Sequence, residues 1–200
     1  MKRLEDMVAA SPVLENAFRL MVDGDCLFRN ERYASVVSLA VLSLEEIGKY
    51  LLDLWSKDAA FAYDRKRLHQ AKQRAVAALF TSDRMRIESQ KRNVDFSNPE
   101  APGQMELLAE AIKVAAEMEN TFTGSVESGV MQHVKHSGLY YDEDLAVKGI
   151  EPSKIKSEHA DEFMRTCSRA FIALTEPKTV GLASDVFMLI QSKKTQAGKG

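Results

Sequence analysis

Between Tyr33 and Leu44 the only polar side chains are Ser35, Ser38 and Ser43. A segment this apolar has no polar stripe to turn toward water, so it predicts a helix enclosed by other helices. The helix is expected to run from Arg32 to Trp55, capped by Asn30. Its second half carries Glu45, Glu46, Gly48 and Lys49. Carboxylates at the end of a buried helix are costly unless partnered. The pattern therefore predicts cationic or imidazole groups supplied from elsewhere in the fold. The simpler alternative is local pairing, because Glu45 precedes Lys49 by four residues and Glu46 precedes it by three.

The same periodicity recurs along the chain. Ser11-Pro12 reads as a cap and first helical residue, and Val13, Leu14, Ala17, Leu20 and Met21 carry a helix to about Phe28. A third helix is expected over 64–80, extending toward Gln90. The stretch 93–104, with two prolines and a glycine, is the clearest break. A fourth long helix is expected over 105–136, with Gly124 and Gly129 bending its second half and Gly138 ending it with positive φ. Pro152 opens a fifth helix to about Leu174, Glu176-Pro177 stops it, and a short helix covers 180–190. No alternating strand pattern and no internal repeat interrupt this series. The reading is all-α: an antiparallel bundle of about five to six helices. It is expected to be a single domain over 1–192, with a core at 11–145, C-terminal helices at 152–192 and a flexible tail at 193–200.

Composition narrows the class. The chain has 200 residues, 45% hydrophobic and 28% charged, with net charge −2. These values fit a soluble globular protein with no global attraction to nucleic acid or membrane. The near-apolar runs are shorter than the roughly 18 residues that span a bilayer, and the N-terminus lacks a secretory core. A cytoplasmic location without membrane association is expected. Cys26 and Cys167 are far apart and read as reduced thiols. The near-neutral total conceals an uneven distribution. Residues 64–92 hold nine Lys or Arg against three Asp or Glu. This basic segment reads either as a solvated helix face or as an RNA- or acid-binding surface over 65–92. Its one aromatic, Phe80, offers no stacking platform for bases.

Three groups carry candidate chemistry. On the long helix Ser38, Glu45, Glu46, Lys49 and Asp53 fall on one side. In the basic segment His69, Lys72 and Gln73 share a face at i, i+3 and i+4, suited to phosphate binding or proton transfer. After the fourth helix, KHSGLYYDED (135–144) is a polar, aromatic turn. His133 and His136 have a spacing that can ligate metal, but no Glu-x-x-His pair occurs, so neither a di-iron site nor another metal or cofactor is expected.

RYASVVSLAVLSLEEIGKYLL, HQAKQ and KHSGLYYD occur in that order and resemble the landmarks of the AbiV family of bacterial abortive infection proteins, placed among the HEPN helical domains. The resemblance covers about residues 13–145. It implies a helical bundle, a homodimer, and a role in phage defence that arrests growth or translation in an infected cell. It also implies a site at Glu45, Glu46, Lys49, His69, Lys72, Gln73, Lys135, Tyr140 and Asp142. Many HEPN domains are metal-independent ribonucleases marked by Arg, four to six residues, then His. Here Arg65 and His69 are separated by three residues, and Lys154 to His159 has the spacing with the wrong base. Enzymatic action on RNA is thus one expectation. The other is a non-catalytic helical protein that binds a phage or host protein, either as its trigger or to sequester it. In either case Glu45 or Glu46 is expected to pair with Lys72 or orient His69, with Lys135 and Tyr140 closing one end.

Overall fold

The computed structural model describes residues 3–58, 68–95, 98, 100–139 and 151–197. Among these residues the fold is all-α. In chain order the helices are α1 (Leu4–Ala9), α2 (Pro12–Arg29), α3 (Tyr33–Trp55), α4 (Leu68–Lys91), α5 (Gln104–Met118), α6 (Asn120–Glu127), α7 (Val130–Leu139), α8 (Ser157–Leu174) and α9 (Pro177–Ala197).

The apolar helix is the axis of the molecule. α2, α4, α7 and α8 all pack against α3, which buries Val36, Val37, Ala40, Val41, Leu44, Ile47, Leu51 and Leu52. Its serines are compatible with this enclosure because each buried hydroxyl finds a carbonyl. Ser43 Oγ donates to the Ala17 carbonyl at 2.8 Å and Ser38 Oγ to the Lys135 carbonyl at 2.7 Å.

Helix α4 is the second layer, and it departs from the solvated face that its charge suggested. Every residue from Ala71 to Phe80 is buried, including Lys72, Gln73 and Arg74. Small side chains make this approach possible. A Cβ on Gly48 of α3 would lie 2.1 Å from the Lys72 carbonyl oxygen of α4, so glycine is required there by backbone contact. Gly24 within α2 plays a milder version of the same part, since a Cβ there would meet Met164 Sδ of α8 at 3.2 Å.

Several element boundaries differ from the sequence expectation. Ser11 does cap α2, accepting from the Leu14 amide. Asn30 does not cap α3. It closes α2 with its side-chain amide on the Cys26 carbonyl, and Arg32 is the residue preceding α3. The expected fourth helix is divided into α5, α6 and α7. The second division falls at Gly129, whose φ of 76° takes the chain out of the helical region, whereas Gly124 lies inside α6. Gly138 lies inside α7 and does not end it. The last helix continues through Ala197, so the segment expected to be a tail from 193 is helical to that point.

Buried ion pairs tie these shorter helices to the core. Glu119, between α5 and α6, takes both carboxylate bonds from Arg169 of α8, at 2.6 and 3.0 Å. The same guanidinium lies 4.4 Å above the Phe80 ring. Glu127 of α6 takes a two-pronged bond from Arg74 of α4. Both cysteines are free thiols. Cys167 is fully buried against the Ala40 carbonyl, and burial pushes its thiol up to about 12, so it is no nucleophile at neutral pH.

Candidate functional site

Glu45 is the centre of a polar cluster inside the fold. It sits two turns along α3 from Ser38, on the inward face, and its side chain is 3% exposed. A carboxylate this enclosed needs donors, and four side chains supply them. Gln73 Nε2 from α4, Gln132 Nε2 from α7 and Lys135 Nζ from α7 each donate to Oε1 at 3.0 Å. His69 Nδ1 from the first turn of α4 lies 2.8 Å from Oε2.

The two oxygens therefore serve different ends. Oε1 is held by three donors, which fixes the plane of the carboxylate. Oε2 is directed at one imidazole. Burial pushes the Glu45 carboxyl up, but the hydrogen bonds and charges of His69 and Lys135 outweigh it and hold the group below the usual glutamate range. An ionised carboxylate can only accept, so His69 presents Nδ1–H to it and, in the neutral ring, its Nε2 is left without a proton. The His69 side chain is 63% exposed. A buried anion thus orients an accessible imidazole nitrogen, an arrangement suited to general-base chemistry.

Lys135 is held at both ends by α3. Its carbonyl takes the Ser38 hydroxyl and its ammonium meets Glu45. Ser38 and Glu45 are seven residues apart, two turns of helix, so one face of α3 fixes both the backbone and the side chain of α7.

The structure brings together Glu45, His69, Gln73 and Lys135 of the residues implicated by sequence. Gln132, which sequence reasoning missed, joins them. It precedes Lys135 by three and so shares its helical face, a spacing that could have revealed it. Glu46 and Lys49 are half-buried and form no ion pair with each other or with any described residue, so the expected local pairing within α3 is absent. Asp53, at the far end of the expected acidic stripe, is exposed. Lys72 is buried along its length but pairs with neither Glu45 nor Glu46, because its backbone, rather than its ammonium, is what meets α3 at Gly48. Tyr140 and Asp142 lie outside the described residues, as do residues 65–67 of the basic segment.

The remainder of that segment is largely neutralised within the fold. Arg74 pairs with Glu127, Arg84 with Glu119, Arg86 with Asp83, and Lys91 and Arg92 with Glu88. Among its described cations Lys72, one turn along α4 from His69, is the one without a carboxylate partner. Among the described residues no group of three or more His, Cys, Asp or Glu side chains could hold a metal ion, and no helix is long and apolar enough to cross a membrane.

A family model described as AbiV, of the HEPN class, matches residues 8–172. The chain belongs to the AbiV family. The match takes in all four helices that contact Glu45 or pack on α3, and it extends past the span of the three sequence landmarks into α8. Membership associates the chain with abortive infection, the class of defence against phage. No curated protein and no solved structure matches it.

Proposed function

We propose that this AbiV-family protein is an abortive-infection effector that arrests growth or translation in infected cells by acting on RNA, with His69 as the reacting base. The observation that carries the reading is the outward-facing imidazole held by a buried, ionised Glu45. In this reading His69 Nε2 takes the proton from a ribose 2′-hydroxyl. The 2′-oxygen then attacks the adjacent phosphorus, the bond to the 5′-oxygen of the next nucleotide breaks, and that oxygen takes a proton from water. The products are a 2′,3′-cyclic phosphate and a 5′-hydroxyl. Lys72, one turn away and without a carboxylate partner among the described residues, would stabilise the charge that builds on the phosphoryl oxygens once its buried ammonium turns out toward the RNA. Gln73, Gln132 and Lys135 act through Glu45 and are positioning residues. The chemistry runs on imidazole and needs no metal.

The test is incubation of the purified protein with total cellular RNA in chelator. The wild-type protein is expected to cleave RNA to cyclic-phosphate ends. His69→Ala should abolish cleavage and cellular toxicity, while helical content and Tm stay nearly unchanged because the ring is mostly exposed. Cleavage by His69→Ala at the wild-type rate contradicts the assignment.

A second reading has its own support. Internal pairing of Arg74, Arg84, Arg86, Lys91 and Arg92 leaves few free cations among the described residues of the basic segment for a phosphate backbone. In that reading the Glu45 network only fixes the bundle, and the protein acts by binding a phage or host protein. Intact RNA in the same assay, together with co-purification of a phage or host protein, selects it.

A further inference from the structure

Helices α5 and α9 both pack on α4, yet they hardly touch each other. Between them an open trough runs over the second half of α4. It comprises two cavities of about 360 and 480 Å³ that share Met85 and Ile112. Met85 forms the floor. Leu108 and Ile112 of α5 form one wall, and Leu182 and Val186 of α9 form the other. Within each wall the spacing is four residues, so each presents one apolar edge along successive turns. Leu108 to Ala116 spans eight helical rises, about 12 Å, and Ile112 is 42% exposed at the rim.

The charge of the trough is one-sided. Arg86 and Lys178 line the larger cavity, and among the described residues no carboxylate lines either one. Yet acids outnumber bases in the chain, 29 to 27. Arg86 already meets Asp83, whereas Lys178 is exposed and forms no ion pair with a described residue.

We propose that this trough is a docking groove for an acidic amphipathic helix of a partner protein. Apolar side chains at i, i+4 and i+7 of that helix enter the two cavities, completing a three-helix layer over α4. A carboxylate at one end meets Lys178. An apolar groove whose one unpaired charged side chain among the described lining residues is Lys178 selects such a helix over a basic one by charge, and the selection weakens with salt. The surface lies on the second half of α4, whereas His69 lies in its first turn. The proposal is therefore independent of whether His69 cleaves RNA.

Fluorescence anisotropy of the full chain with two labelled synthetic helices tests it. Each helix is about 14 residues long with leucines at i, i+4, i+7 and i+11. One carries flanking glutamates and the other flanking lysines. The glutamate helix should bind saturably, at least about tenfold tighter than the lysine helix, and more weakly in about 0.5 M salt. Ile112→Glu should abolish binding with unchanged helical content, and Lys178→Glu should remove the preference for the acidic helix. If Ile112→Glu unfolds the protein, Ala116→Glu on the same exposed wall provides the same readout. Equal binding of both helices, or binding that survives the wall substitution, overturns the proposal. So does saturable decanoate binding at this site with no helix bound, which would make the trough a pocket for anionic amphiphiles. A second copy could compete through its own α5, which carries Glu106, Glu110 and Glu117. Self-association in sedimentation that Ile112→Glu eliminates assigns the face to that copy and overturns the proposal.

Discussion

Gly48→Ala should destabilise the protein by about 3 kcal/mol or more, above the usual range for an added methyl in a packed core. The reason is what the methyl meets. A new Cβ would lie 2.1 Å from the Lys72 carbonyl oxygen, 2.6 Å from its carbonyl carbon and 2.9 Å from its Cα. All three are backbone atoms of a helix and cannot rotate away, so α3 and α4 must separate along their whole contact. In a helix interior alanine is ordinarily favoured over glycine by about 1 kcal/mol, so the sign of the effect is itself diagnostic. Thermal unfolding should show Tm lower by about 10 °C. The control is Gly124→Ala, where a Cβ meets nothing within 4 Å. That change should leave stability level or raise it slightly.

Glu45→Ala should cost about 3–5 kcal/mol, the usual loss when one partner of a buried ion pair is removed. Lys135, 7% exposed, would keep its charge without a counter-ion, and Gln73 and Gln132 would each lose an acceptor. Adding Lys135→Met should restore part of the loss, because it removes the stranded charge. Independent, additive effects of the two substitutions would show that they do not form one unit. The wild-type contribution also has a defined pH window. The folded carboxyl titrates below its unfolded value. Its stabilisation is thus complete above the usual glutamate value of about 4.3 and is lost as pH falls through the folded value. The Glu45→Ala protein should lack this part of the acid sensitivity.

These two positions also show what the sequence made legible. The apolar run from Tyr33 announced an enclosed helix, and a carboxylate at its end announced a partner from elsewhere in the fold. His69 and Lys135 are those partners for Glu45. Glu46 was not separable from Glu45 by composition. One residue of helix is a 100° turn, and only packing decides which of two neighbours faces inward. Lys72 was misassigned for a related reason. Its position on the helix face was right, but it is the Lys72 backbone that meets α3 at Gly48, and its ammonium pairs with neither glutamate. The basic segment looked like a surface because charge reads as solvent-facing. Arg74 and Arg84 are buried and half-buried because Glu127 and Glu119, distant in sequence, reach them. Local periodicity has no access to such pairings. The division of the expected fourth helix was legible at Gly129 but not near Glu119, where no glycine or proline marks the break and the Arg169 contact sits.

An ionised Glu45 that only accepts should fix the proton of His69 on Nδ1 and leave Nε2 bare. Nitrogen chemical shifts of the His69 ring measure this directly, at a pH of about 9 where an ordinary imidazole is neutral. The wild-type protein should show the Nδ1–H tautomer. In Glu45→Gln an amide that donates toward His69, with its oxygen taking the place of Oε1, should drive the ring to Nε2–H with the fold intact. A wild-type ring that is predominantly Nε2–H, or a tautomer that Glu45→Gln leaves unchanged, would contradict the account.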